Sequence, residues 1–416
     1  MKLNDLQNTR WTLDHPELGT GPVNVESYNS PEFFELLREK VFKKTWICTG
    51  KRVDEIPGPG DYFLEETDIT GTSVIVVRGL DGKIRAFHNT CTHRGTQLLF
   101  ESYGNVKGKL TCIYHGWAFS LTGKNLVVTE REMFFDIEKM EKDLMPVAVD
   151  VWAGFIFINL DPNPSQTLLE HIGPEVNDLF GDYPFDTTTV QASYRADLDC
   201  SWQVVRDSQL EAYHVKYLHN RTAPHFMESE DAPNRHAYDV KLLGKHSFGS
   251  WYGNRAKMSV DISAEAPVAS LAAKSGQTLS SDANAVVDVQ HWAKGVNPAR
   301  TQDWFFDTLY LFPNYHFIFL GHQNYAAHKI MPGKQAGKSS WNARYFAPPV
   351  QDNGLVSQWA AEYMIYSLRD LWREDGNTTW GAHRSIASGV FKHMHLQDQE
   401  IMIRHAEKIV SDMCRS

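Results

Sequence analysis

Long apolar runs are scarce in this sequence. The most apolar stretch, DTLYLFPNYHFIFLG, is interrupted by proline, asparagine and histidine well short of a membrane span. The N-terminal segment MKLNDLQNTRWTLDHPELG has no apolar core of the kind that signal peptides carry. We therefore expect a cytoplasmic protein with no membrane partner.

Cysteine is scarce as well, with five residues in a chain of 416. So few thiols cannot form a disulfide framework in a chain of this length, and the odd count fits reduced thiols in a reducing compartment. Cys48, Cys200 and Cys414 have no cysteine or histidine at ligand spacing. We expect these three to be buried or incidental thiols.

Positive charge is also in deficit. The formal net charge is -10 and the sequence has no basic stripe, which argues against a nucleic-acid partner. The glycine-rich pattern G-x-G-x-x-G does not follow any predicted strand, so a flavin or nicotinamide site is not expected and redox chemistry would need a separate electron donor. The remaining composition, 42% hydrophobic and 22% charged, is that of a globular chain with room for two domains.

The pattern of apolar residues divides the chain into zones. SPEFFELLREKVFKKTW predicts an N-terminal helix, and residues 45–165 consist of short β-type runs separated by turn sequences. Residues 307–331 predict successive strands of an antiparallel sheet, and the segment from Gly354 to Met413 is helical in pattern. The Ala/Ser-rich stretch 263–287 is interpreted as a surface or lid-like excursion.

The β-rich zone contains two short cysteine and histidine motifs, CTHRG and CIYHGW. Two thiolates and two imidazoles suit a tetrahedral zinc, or a two-iron cluster in which one iron takes both sulfurs and the other both histidines. Gly95 and Gly116 would let backbone N–H groups approach a cluster sulfide, and Trp117 would supply an apolar cover. These features favour iron and sulfur over zinc. The four candidate ligands are Cys91, His93, Cys112 and His115.

The second group of candidate ligands lies in EAYHVKYLHN. Glu211 and His214 are three apart and are predicted to share a helix face, whereas His219 is rotated by about 140° from His214 on an ideal helix. Both histidines reach one ion only if the helix distorts or ends between them. Two imidazoles and one carboxylate form the ligand set of non-haem iron(II), although a histidine pair on a helix is more often a surface or core feature.

The two cluster motifs and the later histidine motif resemble those of a known family. CTHRG with CIYHGW resembles the Rieske domain, and E-x-Y-H-x-x-x-x-H downstream resembles the catalytic domain of Rieske non-haem iron oxygenase α subunits, of the aromatic-ring-hydroxylating dioxygenase family. The resemblance implies an α+β fold. It implies an N-terminal segment at 1–44 that packs on the catalytic domain, a small all-β Rieske [2Fe-2S] domain at 45–165, and a catalytic domain at 166–416 with an antiparallel sheet covered by helices.

The resemblance also implies where the remaining iron ligand lies. The family takes its carboxylate from a late helix, commonly an Asp preceded by an acidic residue at the head of that helix, which favours Asp375 after Glu374 and leaves Asp370 in reserve. His214, His219 and Asp375 would then hold mononuclear iron(II). Trp380 stands where the family often has Glu, and Ser208 stands where it often has Asn.

Glu211 occupies the position of a family acid that joins two subunits. In the family this acid bridges an iron histidine of one chain and a cluster histidine of the next. The family works head to tail in rings, so a homotrimer is expected. The alternative for Glu211 is a solvated residue on a helix face.

The implied function is that of a terminal oxygenase component. It would use dioxygen, with electrons from a separate NAD(P)H-dependent reductase and with or without a ferredoxin, to mono- or dioxygenate a small hydrophobic, aromatic substrate. One alternative is a monooxygenase that demethylates a quaternary ammonium or N/O-methyl substrate; others are an electron-transfer protein without catalytic iron and a zinc protein. Aromatic residues near the iron motif could sandwich a ring or cage a methylated ammonium, but we expect most of them to be core. They are Tyr213, Tyr217, Trp372 and Trp380.

Overall fold

The computed structural model describes residues 2–6, 8–223, 225–254, 289–349 and 355–415. It separates into two compact units, Glu35–His171 and a larger unit formed by Met1–Phe34 with Ile172–Ser416. The Ala/Ser-rich stretch 263–287, predicted to be a lid-like excursion, lies outside the described residues. Within the described part of the chain, no helix is both long enough and apolar enough to cross a bilayer.

The smaller unit is almost entirely β structure, as its short runs of β-branched residues predict. A seven-stranded antiparallel sheet has the order β2-β11-β10-β5-β4-β3-β6, and a separate three-stranded sheet has the order β7-β8-β9. The strands are β2 Ile47–Arg52, β3 Asp61–Thr67, β4 Thr72–Arg78, β5 Ile84–His88, β6 Tyr103–Asn105, β7 Lys109–Thr111, β8 Ala118–Ser120, β9 Asn125–Val127, β10 Pro146–Trp152 and β11 Phe155–Asn159. Short 3₁₀ turns lie at Val53–Glu55, Arg131–Met133 and Ile137–Lys139.

The larger unit is built on a second antiparallel sheet of seven strands, in the order β12-β18-β17-β16-β15-β14-β13. The strands predicted within residues 307–331 are confirmed as β15, β16 and β17, which pair in succession. The sheet consists of β12 Thr189–Leu198, β13 Ala237–Leu243, β14 His246–Tyr252, β15 Trp304–Leu311, β16 Tyr315–Phe319, β17 Tyr325–Pro332 and β18 Ser339–Ala347. A two-stranded ribbon pairs β1 Val23–Asn24 with β19 His393–Met394.

One row of side chains crosses four neighbouring strands of this sheet. Thr308 on β15 is opposite Ile318 on β16, Ile318 is opposite Ala326 on β17, and Ala326 is opposite Tyr345 on β18. Residues opposite each other in an antiparallel ladder have side chains on the same face. This row lines a cavity of the larger unit.

Helices supply the remaining elements. The closing segment is helical as predicted, with one helix of 33 residues followed by another of 15. The α-helices are α1 Trp11–Asp14, α2 Pro31–Leu36, α3 Leu168–Ile172, α4 Pro174–Phe180, α5 Trp202–Asp207, α6 Val215–Leu218, α7 Leu355–Ala387 and α8 Ile401–Arg415. Helix α2 continues as a π-helical segment at Leu37–Phe42, and 3₁₀ turns lie at Leu3–Leu6, Pro16–Leu18, Glu26–Tyr28, Phe185–Thr187, Val289–His291 and Asp398–Glu400. The predicted N-terminal helix is therefore present.

Candidate metal centres

The two cysteine and histidine motifs form two tight loops of the same construction. One follows β5, and the other joins β7 to β8. In each loop the glycine has a positive φ, +82° at Gly95 and +74° at Gly116, and its N–H donates to the carbonyl of the motif cysteine. The cysteine N–H donates in turn to Thr96 or Trp117. Glycine is required because a left-handed conformation closes each loop.

The loops bring the two cysteines close to each other and the two histidines close to each other. The thiols of Cys91 and Cys112 lie within hydrogen-bonding reach of each other, and the imidazole centroids of His93 and His115 are 4.6 Å apart. Burial raises the pKa of the Cys91 thiol, and the backbone N–H groups of His93 and Arg94 oppose that rise. These two N–H groups therefore point toward sulfur, as the glycine-containing loops suggested.

The surroundings of these four side chains fit a cluster with two kinds of iron ligand. Both cysteines are buried within the apolar core of the small unit, whereas both histidines are half-buried. Trp117 stacks on His93 at 5.0 Å and covers it as expected. Nδ1 of His93 is buried without a hydrogen-bond partner among the described residues, so this nitrogen remains available to a metal.

The second centre lies where α5 ends and α6 begins. Glu211 and His214 were predicted to share a helix face, and this is wrong, because Glu211 lies in the link between the helices. The Glu211 carboxylate accepts the backbone N–H of His214 at 3.1 Å and is hydrogen-bonded to Nδ1 of its ring. The helix then ends at Leu218, just before His219. That ending meets the condition under which both histidines reach one ion.

Three atoms converge at this point. Nε2 of His214 and Nε2 of His219 are 3.2 Å apart, and Oδ1 of Asp375 lies 3.4 Å from the first and 3.2 Å from the second. Ligand atoms about 2.1 Å from one ion, in directions near right angles, lie about 3 Å from each other. Oδ1 of Asp375 is buried without a hydrogen-bond partner among the described residues. The spacing and the donor set fit a metal held by two imidazoles and one carboxylate.

The charges around this point favour a cation. Burial alone would lower the pKa of His214, but the adjacent Glu211 and Asp375 carboxylates outweigh it and raise the pKa to about 10. Burial alone would raise the pKa of Asp375, but the two adjacent imidazoles lower it to about 2. Both pKa shifts arise because carboxylates surround the histidines. The same negative potential would stabilise a divalent cation at this point.

Helix α5 is held in place by buried ion pairs between side chains. Arg206 is fully buried and pairs with Asp207 and Glu407, while the Tyr28 hydroxyl donates to Asp207 at 2.5 Å. The next residue, Ser208, donates its hydroxyl to the Val205 carbonyl at 2.9 Å. These contacts fix the start of the link that carries Glu211 and His214.

The structure separates the two candidate carboxylates. Asp375 lies with the histidines, whereas Asp370 is half exposed and pairs with Arg369 at 2.9 Å. Asp375 was expected at the head of a helix, and this is wrong, because it lies in the second half of α7. A long helix can present an acid to the site from a position well inside its length.

The expectation that most of the nearby aromatic residues are core is also wrong. Tyr213, Tyr217 and Trp380 are 47%, 67% and 47% exposed. Only Trp372 of the four is buried, and it lines the cavity. Tyr213 lies in the link before α6, Tyr217 in α6 and Trp380 in α7, and none of the three lines the cavity.

The cavity beside the three converging atoms has a volume of about 350 Å³. Of the side chains that form its aromatic wall, only Trp372 was named from the sequence, and no pattern distinguished the others from core residues. Polar groups include Ser208, Gln209, Thr222 and Asn324, and the cavity reaches Glu211 and Asp375 at the metal-facing end. The aromatic residues are Phe226, Phe305, Phe306, Tyr345 and Trp372.

Sequence reasoning missed two further groups at the centre. Gln209 donates its amide to Oδ2 of Asp375 at 3.4 Å and to Ser208 at 3.0 Å. The Glu374 carboxylate accepts hydrogen bonds from Nδ1 of His219 and from the Thr222 hydroxyl, both at 2.8 Å. Glu374 was noted only as the acidic neighbour of Asp375, and its adjacency was the one signal in the sequence.

Comparison with known proteins identifies both halves of this arrangement. Residues 45–133 match the Rieske [2Fe-2S] domain, and residues 185–416 match the catalytic domain of the ring-hydroxylating α subunit. The chain belongs to the family of ring-hydroxylating α subunits. It thus carries a Rieske [2Fe-2S] domain together with the catalytic domain that binds mononuclear iron in this family, and the predicted α+β fold is confirmed.

Two relatives are oxygenase subunits of monooxygenases named for carnitine and for glycine betaine. The chain is 36% identical over 206 residues to the carnitine monooxygenase oxygenase subunit of Escherichia coli K12, covering 47% of this chain and 52% of that protein. It is 32% identical over 210 residues to the glycine betaine monooxygenase oxygenase subunit of Chromohalobacter salexigens, covering 50% and 46%. The chain thus spans about half the length of the curated relatives it matches.

The fold itself is shared over nearly the whole chain. The crystal structure of a quaternary ammonium Rieske monooxygenase superimposes with a TM-score of 0.73 at 19% identity, covering 96% of this chain and 97% of that one. At this identity the likeness concerns the fold alone.

Proposed function

We propose that the chain is the terminal oxygenase component of a Rieske system that oxidises a methylated ammonium compound. This favours the demethylation alternative over hydroxylation of an aromatic ring, which was the leading expectation from the sequence. Its support is twofold: the relatives named for carnitine and glycine betaine, and the charge and walls of the cavity.

The observation that carries the proposal is an aromatic cavity that ends at a surplus of negative charge. Three carboxylates, Glu211, Glu374 and Asp375, surround the two imidazoles. A divalent ion would leave this end of the cavity formally negative. Aromatic faces attract a methylated ammonium through their quadrupoles, most strongly where water is excluded. A neutral aromatic substrate would gain the apolar contact but not the electrostatic attraction.

The metal ligands remain part of this proposal. We assign Cys91, His93, Cys112 and His115 to the [2Fe-2S] cluster, and His214, His219 and Asp375 to mononuclear iron. The cluster supplies single electrons and iron(II) activates dioxygen when they are bound. The residues of the chain hold the substrate beside the three converging atoms, and the apolar walls exclude water.

The product follows from the chemistry of the substrate. Hydroxylation of a carbon attached to the ammonium nitrogen consumes one dioxygen, two electrons and two protons, and releases one water. The resulting carbinol then breaks its C–N bond, so that the hydroxyl proton leaves to solvent and an aldehyde and an amine separate. One aldehyde and one amine therefore form for each dioxygen used productively.

The proposed reaction needs an electron donor. The two electrons would come from a separate NAD(P)H-dependent reductase, with or without a ferredoxin. We further propose a homotrimer in which Glu211 links His214 to a cluster histidine of a neighbouring chain. A solved quaternary ammonium Rieske monooxygenase is described with inter-subunit electron transfer, which supports this arrangement.

The test is a substrate panel on holoprotein supplied with a reductase. We expect carnitine, glycine betaine or choline to stimulate dioxygen uptake with equal release of aldehyde and amine. The matched control is the carbon isostere of choline, in which a quaternary carbon replaces the nitrogen and removes only the charge. Turnover of neutral aromatic compounds, with none of the ammonium compounds, would refute the proposal.

A further inference from the structure

Each of the two imidazoles at the proposed iron centre has a glutamate on its outer nitrogen. Glu211 is hydrogen-bonded to Nδ1 of His214, and Glu374 is hydrogen-bonded to Nδ1 of His219 at 2.8 Å. An ionised carboxylate only accepts hydrogen bonds, so it places the proton on Nδ1 and leaves the Nε2 lone pair facing the other ring. Both rings thus present the same atom to the converging point.

The two glutamates are arranged differently. Glu211 is close in sequence to its histidine and also accepts that residue's backbone N–H. Glu374 comes from α7, 155 positions from His219, and the next residue on the helix is Asp375. Helix α7 therefore supplies two adjacent acids to one centre, one facing the converging atoms and one behind a histidine.

Thr222 is a second hydrogen-bond donor to Glu374. Its hydroxyl donates to the same Glu374 oxygen at 2.8 Å, and its N–H donates to the His219 carbonyl at 3.1 Å. Thr222 also lines the cavity. The carboxylate oxygen is thereby held from two directions, and the imidazole plane of His219 is set by a side chain on another element.

We infer that Glu374 is a positioning residue for the iron centre, acting through His219 with Thr222 as its second anchor. The inference rests on the proposed iron site. A negative partner on the outer nitrogen increases the basicity of the inner one and prevents the ring from rotating. Loss of such a partner typically costs about 10- to 100-fold in metal affinity or activity.

Two substitutions separate charge from geometry. Glu374→Gln keeps an amide oxygen that can accept from both His219 and Thr222 but removes the charge, whereas Glu374→Leu removes the acceptor as well. The matched control is Glu362→Gln, the same change at an exposed position of the same helix. Thr222→Val removes only the second anchor.

The measurement is the rate at which a ferrous chelator removes iron from the holoprotein, without substrate. We expect iron removal to be about 10-fold faster in Glu374→Gln and faster still in Glu374→Leu. The rate in Thr222→Val should lie between those of the parent and Glu374→Gln, and the rate in Glu362→Gln should equal that of the parent. The visible spectrum of the cluster and the unfolding midpoint of iron-free protein should match the parent in Glu374→Gln, which separates positioning from folding.

Parent-like iron removal in both Glu374 variants would overturn the inference and leave the proposed function standing. Faster removal in the variants, from a parent that oxidises no ammonium compound, would support the inference and overturn the proposed substrate. The two failures are therefore distinct.

Discussion

His214, His219 and Asp375 each place one ligand atom within 4.8 Å of the others. We expect alanine at any of the three to abolish bound mononuclear iron and turnover, because two ligands hold the ion far less tightly than three. The cluster spectrum should not change, since its four proposed ligands lie in the other unit. Metal analysis with visible spectroscopy tests this.

Asp370→Ala is the control for the carboxylate, because it removes an acid from the same helix that pairs with Arg369 instead. The assignment of Asp375 is wrong if Asp370→Ala loses iron and Asp375→Ala retains it.

Glu211 is the second residue with a separable role. Glu211→Gln replaces one carboxylate oxygen with an NH₂ group, so at most one of the two imidazole donors keeps an acceptor. We expect both metals to load and the cluster to accept electrons from a chemical reductant. Substrate-dependent reoxidation, followed by stopped-flow absorbance, should slow by orders of magnitude. Reoxidation at the parent rate would mean that Glu211 has no part in electron transfer.

At the scale of elements, the sheet forms part of the proposed substrate cavity through one row of side chains. Ala326 lies in that row between Ile318 and Tyr345. Ala326→Leu adds about three methylene-sized groups to a cavity of about 350 Å³. We expect KM for the substrate to rise severalfold while iron and cluster contents are unchanged.

The control for Ala326→Leu is Ala196→Leu, the same change at an exposed position of edge strand β12 in the same sheet. Kinetics on both variants would settle the point. An unchanged KM in Ala326→Leu would show that the substrate lies elsewhere.

The elements differ in how well the sequence predicts them. The strands within 307–331 can be predicted from their β-branched and aromatic runs. The two cluster loops can be predicted because each contains a glycine at a position where a tight turn needs one. Glu211 was misplaced because a three-residue spacing is typical of a helix, whereas here its carboxylate accepts hydrogen bonds from His214 within a non-helical link. The cavity row was not predictable, since Ile318 and Ala326 alternate along their strands as ordinary core residues do.

At the scale of the whole molecule, buried histidines couple stability to pH. His328 on β17 is fully buried, and this burial lowers its pKa to about 3, with Asp375 opposing the shift. In the unfolded chain a histidine titrates near 6.5. Between about pH 6.5 and pH 3 the unfolded chain therefore binds a proton that the folded protein does not, and stability falls as pH falls.

The expected slope is up to about 1.4 kcal/mol per pH unit for this one group. Comparing unfolding midpoints of the parent and His328→Gln between pH 7 and pH 5 isolates it, because acid effects on the metals are common to both proteins. We expect the midpoint of the parent to fall more steeply. Parallel curves would mean that His328 does not remain neutral in the folded protein.

We propose that one chain unites a Rieske cluster, an iron centre and a cavity for a methylated ammonium compound. The most direct test of this proposal is a single turnover of chemically reduced holoprotein, mixed with dioxygen and a methylated ammonium compound without a reductase. We expect aldehyde and amine in equal amounts, approaching one per chain, and a return of the cluster's visible absorption that depends on the substrate. Reoxidation at the same rate without substrate, with no aldehyde formed, would contradict it.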